Sequence, residues 1–224
     1  KKIKTKAIMN KQYSSFSSSD SIKNIIFDFG GVLMDWNQRY FFRDYFNDDE
    51  KMEYFLQNIA TTPWNEEQDR GRSLAEGTEI LVQQHPTWEK EIRAFYDNWT
   101  TMLKGEIYEN VEALRKLGET DFSLFGLTNW SAETFPYALA NYDFFDLFEG
   151  KIVVSGEEKL IKPDPKIWQV LLERYQIKAE ESIFIDDNIK NVEMAKNLNF
   201  KVIHCTSNIN LLEEIEKITQ TVSR

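Results

Sequence analysis

From residue 22 onward the chain alternates between two apolar patterns. The first is a short continuous run. Asn24-Ile25-Ile26-Phe27-Asp28-Phe29 stops at Gly30-Gly31, and similar runs span residues 123–128, 151–155, 182–186 and 201–205. Each is rich in β-branched or aromatic residues, which suits a strand buried on both faces. The second pattern has helical spacing. Val111, Leu114 and Leu117 share one face of a helix over 110–117, with Gly118 as its stop. Asp164-Pro165 supplies an N-cap and a proline at the first helical position, opening a helix through Tyr175. Val192, Ala195 and Leu198 mark another. Strands that alternate with helices predict an α/β fold with a parallel sheet covered on both sides.

Residues 36–104 break that rhythm. They hold no convincing strand. Ser73 and Glu76 form a capping box. Thr87 is placed to cap a long amphipathic helix whose apolar face is Trp88, Ile92, Phe95, Trp99, Met102 and Leu103. Tyr40, Phe41, Phe42, Tyr45 and Phe46 crowd another helical stretch. The expectation is an all-helical insertion at 36–104, within a core made of 22–35 and 105–224.

Residues 1–21 differ from both. Five lysines precede a serine-rich stretch without an apolar segment, so this is read as a flexible N-terminal arm and set apart from the fold. Lys+Arg is 27 against 37 Asp+Glu, a net charge of −10, which argues against nucleic acid or an anionic membrane as a general partner. Hydrophobic residues make up 42%, ample for a packed core. No apolar run reaches membrane-spanning length, and a cytoplasmic protein is expected. With one cysteine, Cys205, and two histidines, His85 and His204, any metal must be held by oxygen ligands.

In an open parallel sheet, ligands bind beyond the carboxyl ends of the strands. The first strand delivers Asp28 and the Gly30-Gly31 turn there. The second delivers Thr128 and Asn129, the segment after the third brings Lys162, and the fourth ends in Asp186-Asp187. Three carboxylates against one ammonium leave negative charge uncompensated, which raises a pKa or calls in a cation. Hard oxygen donors select Mg²⁺. Asp28 can then act as a nucleophile on phosphorus. Lys162 and the metal would neutralise the phosphoryl oxygens, and Thr128 and Asn129 would donate to them. The Gly30-Gly31 turn lets backbone groups approach the phosphate and the ion.

These stretches resemble the four motifs of the haloacid dehalogenase superfamily. Residues 25–33 resemble the first, Leu127-Thr128-Asn129 the second, residues 161–165 the third, and Phe184-Ile185-Asp186-Asp187-Asn188 the fourth. The resemblance covers about residues 22–210. It implies a Rossmann-like catalytic core, with 36–104 as a helical cap. Asp28 would be the nucleophile and the Gly30 carbonyl a metal ligand. Thr128 and Lys162 would bind phosphate. Asp187 would be the direct metal carboxylate, with Asp186 beside it. The expected substrate is a small phosphorylated metabolite.

One position departs from the family pattern. Most phosphatases of this family carry a second aspartate two residues after the nucleophile, as general acid and base. Here that position is Gly30. Asp35 or Asp69 is a candidate substitute. A sugar 1-phosphate would ease the need, and the sequence also resembles bacterial sugar-1-phosphate phosphatases with glycine there. A 2-haloacid dehalogenase, which displaces halide without metal, is the alternative; Trp36 and Trp130 beside the site would suit its apolar pocket. A catalytically silent ligand-binding member is the second alternative. Asn191 is read as a helix surface residue, and His204 and Cys205 as core. Hinges for cap closure are expected near Asp35-Trp36 and Lys104-Gly105. Oligomeric state is not readable.

Overall fold

The computed structural model describes residues 22–222; the arm expected at 1–21 lies outside the described residues. Strand β1 (Asn24–Phe27) leads through a tight turn to a short strand β2 (Met34–Trp36). Helices α1 (Arg39–Phe46), α2 (Asp49–Asn58), α3 (Thr62–Asp69), α4 (Leu74–Gln84), α5 (Glu89–Asp97) and α6 (Trp99–Met102) follow. The chain returns through β3 (Leu103–Glu106). Then come α7 (Tyr108–Leu117), β4 (Ser123–Thr128), α8 (Phe135–Asn141), β5 (Ile152–Val154), α9 (Ser155–Glu158) and α10 (Pro165–Tyr175). β6 (Ser182–Asp186), α11 (Ile189–Asn197), β7 (Lys201–His204) and α12 (Leu211–Val222) complete the described chain.

The main sheet has five strands in the order β5-β4-β1-β6-β7, and every pairing is parallel. Its strands read as unbroken apolar runs because both faces are covered. The two-residue period of the backbone divides them. Ile25, Phe27, Leu124, Ile183 and Ile185 enter one core, while Ile26, Phe125, Leu127 and Phe184 enter the other. Each of these side chains, fully removed from water, contributes about 1.5–3 kcal/mol. Gly126 in β4 leaves room for a ring: a Cβ there would lie 2.3 Å from Phe29 Cζ.

The inserted helices have a core of their own, built on Phe42, Phe55, Trp64, Ile92 and Phe95. Two local expectations fail here. The long helix expected from Thr87 is broken. Residues 86–88 form a 3₁₀ turn, and Asn98 separates α5 from α6. Asn98 Nδ2 donates to the Ala94 carbonyl and Thr101 Oγ1 to the Asn98 carbonyl, local bonds that compete with the helix ladder. The segment also holds strand residues. Trp36, Leu103 and Lys104 lie in an antiparallel ribbon of β2 with β3, so both expected hinges fall on paired backbone. The Ser73 hydroxyl accepts from the Glu76 backbone N–H, as the capping box requires. No helix among the described residues is long and apolar enough to cross a membrane.

Candidate active site

The carboxyl edge of the sheet collects the charged side chains. Asp28 directly follows β1, and its backbone N–H continues the ladder to the Ile185 carbonyl at 2.9 Å. Its carboxylate accepts from the Phe29 N–H at 2.7 Å through Oδ1 and from Lys162 Nζ at 2.9 Å through Oδ2. Asp186 closes β6 and is fully buried. Lys162 arrives from the loop before α10, next to a cis bond to Pro163, and its side chain has no exposed surface. Its ammonium donates to Asp28, to Asp186 at 2.7 Å and to the Leu127 carbonyl at 2.9 Å, which occupies all three protons.

Asp28, Asp186 and Asp187 each offer an oxygen within 4.8 Å of the others. One ammonium leaves two negative charges of this cluster uncompensated. Burial is the main force pushing the Asp28 carboxyl up to about 8; Asp186 and Asp187 add to it and Lys162 opposes it. Asp187, on the solvent side, is raised by desolvation and then by Asp186. Burial alone would lower Lys162, but Asp186 and Asp28 hold it above its ordinary value. Next to this cluster, at the end of β4, the Thr128 hydroxyl is buried and has no hydrogen-bond partner. A buried hydroxyl with a proton to give, beside crowded carboxylates, suits a site that takes a cation and an anionic ligand.

The sequence model of the family described as haloacid dehalogenase-like hydrolase matches residues 25–205, a stretch that contains every one of these groups. The chain belongs to that family. Among relatives, it is 27% identical over 199 residues to the sesquiterpene phosphatase astK of Aspergillus oryzae, spanning 88% of this chain and 97% of that protein. A HAD family enzyme of Bacteroides thetaiotaomicron, crystallised with magnesium and inorganic phosphate, shares the fold at a TM-score of 0.62, with 24% identity over 84% of this chain and 96% of that one. A dehalogenase with an intermediate complex superposes at 0.65, with 18% identity over 86% of this chain and 88% of its own.

Within this haloacid dehalogenase-like frame, several side chains serve differently from the expectation. Asn129 does not face a ligand with its amide. Its Oδ1 accepts from the Lys162 N–H at 2.8 Å and its Nδ2 donates to the Lys162 carbonyl at 3.0 Å, which clamps the backbone that carries the lysine. Trp130 is buried against Trp99 and Phe135, and its indole N–H donates to Thr134, so it packs rather than lining a pocket. Asp186, expected beside Asp187 at the metal site, stays in the three-carboxylate group that could hold an ion. Its oxygens accept from Lys162, Asn191 Nδ2 and the Asn188 N–H, so it orients the cluster from behind. Asp35 takes the Tyr40 hydroxyl on both oxygens.

Two contributors were missed. Asn191 is buried and donates to Asp186 at 3.1 Å, not a surface residue. The available signal was its place in the first turn of the helix that follows Asp186-Asp187. Ser155, at the end of β5, is buried and accepts from the Trp130 N–H at 2.8 Å. His204 is exposed, not core, and its Nε2 lies 2.8 Å from the Asp187 carbonyl.

Gly31 is held by the site itself. Its φ is +73°, and a Cβ would come 2.2 Å from Asp187 Oδ2. Gly31→Ala is expected to cost at least about 1–2 kcal/mol from the left-handed backbone alone, and to displace Asp187. Thermal unfolding reads the first effect and turnover the second.

Proposed function

We propose that the chain is a magnesium-dependent phosphohydrolase that acts on a small phosphomonoester through an aspartyl-phosphate on Asp28. The observation that carries this is the meeting of three carboxylates with the buried Lys162 at one strand edge. The donor set is all oxygen and electrostatically short of a cation, which fits magnesium. Asp28, the Gly30 carbonyl and Asp187 would hold it. When bound, it supplies the positive charge that attracts a phosphoryl group and offsets charge on its oxygens.

Lys162 and the Phe29 N–H fix the Asp28 carboxylate in one orientation. Asp28 attacks phosphorus in line, the ester P–O bond breaks, and water then releases phosphate from Asp28. The Thr128 hydroxyl, free of other bonds, donates to a phosphoryl oxygen. The inserted helices act as a cap over this edge. The resemblance to the fungal sesquiterpene phosphatase supports phosphoryl chemistry and an apolar alcohol, while Gly30 favours a sugar 1-phosphate.

Hydrolysis of p-nitrophenyl phosphate in magnesium, abolished by chelator, tests the reaction. Metal-independent halide release from 2-chloropropionate would replace it with dehalogenation. Extra carboxylates around Asp28 argue against that outcome, because a dehalogenase must admit a carboxylate substrate. Comparing glucose 1-phosphate, glucose 6-phosphate and an apolar allylic phosphate separates the substrate classes. Magnesium at a hundred times its dissociation constant stabilises the fold by about 2.7 kcal/mol. At roughly 2–4 °C per kcal/mol for a chain of this size, the melting temperature should rise by about 5–10 °C. Asp187→Asn should remove most of that rise.

A further inference from the structure

We propose that His204, the last residue of β7, is a positioning residue for the magnesium site: its imidazole holds the main chain of Asp187 and so sets how tightly the ion is bound. The inference rests on the phosphatase reading above, in which Asp187 is a metal carboxylate. Its basis is a difference in how the three clustered carboxylates are fixed.

Two of the three are held by their oxygens. Asp28 accepts from the Phe29 N–H and from Lys162. Asp186 accepts from Lys162, from Asn191 and from the Asn188 N–H. Asp187 has no such support. Among the described residues its carboxylate takes a hydrogen bond only from its own backbone N–H. That suits a metal carboxylate, because an oxygen lone pair given to a protein donor is withheld from an ion. The orientation of Asp187 must then come from its main chain.

At this point the main chain belongs to no ladder. β6 ends at Asp186, and α11 begins at Ile189 with Asn188 as its cap. Asp187 falls in the gap. The Asp186 carbonyl is still taken, by the Cys205 N–H at 2.9 Å. The Asp187 carbonyl meets no backbone donor among the described residues. Left unpaired, that peptide would be free to turn.

His204 supplies the missing donor. β6 and β7 pair in parallel, with Asp186 beside His204. The ring reaches one residue further along the partner strand, and its Nε2 lies 2.8 Å from the Asp187 carbonyl. A carbonyl can only accept, so the proton sits on Nε2. The ring is exposed and belongs to neither core cluster of the sheet. Packing therefore does not account for a histidine here, whereas the hydrogen bond does.

The tolerance at Asp187 is small. Its Oδ2 lies 2.2 Å from where a Gly31 Cβ would be, so the carboxylate is set closely against the turn after β1. The same turn carries the Gly30 carbonyl, assigned above to the same ion. A rotation of the Asp187 peptide changes the spacing between these two ligands. Magnesium demands near-ideal octahedral geometry and registers such a change. Groups that orient metal ligands typically account for about 10–100-fold in affinity.

The test is the dissociation constant for magnesium, read without substrate from the rise of melting temperature with magnesium concentration. It compares the wild type, His204→Leu and His204→Gln. Leucine fills a similar volume and has no donor. Glutamine carries an N–H at about the reach of Nε2. His204→Leu should weaken magnesium binding by about tenfold or more, and His204→Gln should recover it to within about threefold of the wild type. The magnesium concentration that gives half the maximal rate should rise by the same factor in the leucine variant. In chelator the three proteins should melt within about 2 °C of one another, because the ring is exposed. Unchanged affinity in His204→Leu overturns the proposal, and so does an equal loss in both variants. A fall of more than about 5 °C in chelator for His204→Leu overturns it too, by making His204 a structural residue. A wild type that binds no magnesium overturns the metal site and this inference with it. Magnesium binding without turnover of any phosphate ester counts against the phosphatase reading and leaves the role of His204 to the affinities.

Discussion

Asp28→Asn is expected to abolish phosphomonoester turnover, by at least about 10⁴-fold in kcat, while leaving the protein folded. Removal of an attacking group costs far more than removal of a single donor, because no other side chain can form the covalent intermediate. Stability moves the other way. The folded state holds the Asp28 carboxyl up at about 8, from an ordinary value of 3.8, chiefly through burial. A raised folded pKa means that the native protein holds this proton more tightly than the unfolded chain does. The metal-free wild type therefore loses stability as pH rises from about 4 to 8, and the loss levels off above that. Asparagine carries no charge to desolvate and escapes this loss. In chelator at pH 8, the variant should melt at or above the wild-type temperature; at pH 4 the advantage should be gone. A variant that is both inactive and much less stable at pH 8 would show that Asp28 is structural.

Lys162→Met should cost both activity and stability. The ammonium is the cation that Asp186 contacts at 2.7 Å, and both side chains have no exposed surface. Methionine fills the volume but leaves a buried carboxylate with only Asn191 and a backbone amide. Removing one partner of a buried pair typically costs about 3–5 kcal/mol. For a chain of this size that is a fall of roughly 6–20 °C in melting temperature. Adding Asp186→Asn in the same chain should recover much of the stability and none of the turnover. Thermal unfolding of the single and double variants checks both statements. A single variant as stable as the wild type would mean that Asp186 is neutral without its lysine.

The residues legible from sequence were those fixed by strand periodicity. A strand buried on both faces has to read as an apolar run, and a polar residue at its end has to face the carboxyl edge. That rule delivered Asp28, Thr128 and Asp186 to one place. One or two residues beyond a strand, no period applies. Asn129 and Trp130 were therefore placed toward a ligand, whereas local hydrogen bonds turn one onto the lysine backbone and the other into the core. Asn191 was missed for a related reason. A polar residue in the first turn of a helix looks solvated, and only the neighbouring strand end makes it a partner of Asp186. The β2–β3 ribbon was invisible because a few residues including Gly105 carry no alternation to read.

That ribbon has an evolutionary consequence. The helices depart after Trp36 and come back at Leu103, and these two residues face each other across paired backbone. Directly opposed residues on such a ribbon lie only about 4.5–5.5 Å apart. Splicing in a different set of helices thus requires no rethreading of the parallel sheet. A different insertion can be joined at these two residues while Asp28, Asp186 and Asp187 keep their places on the main sheet.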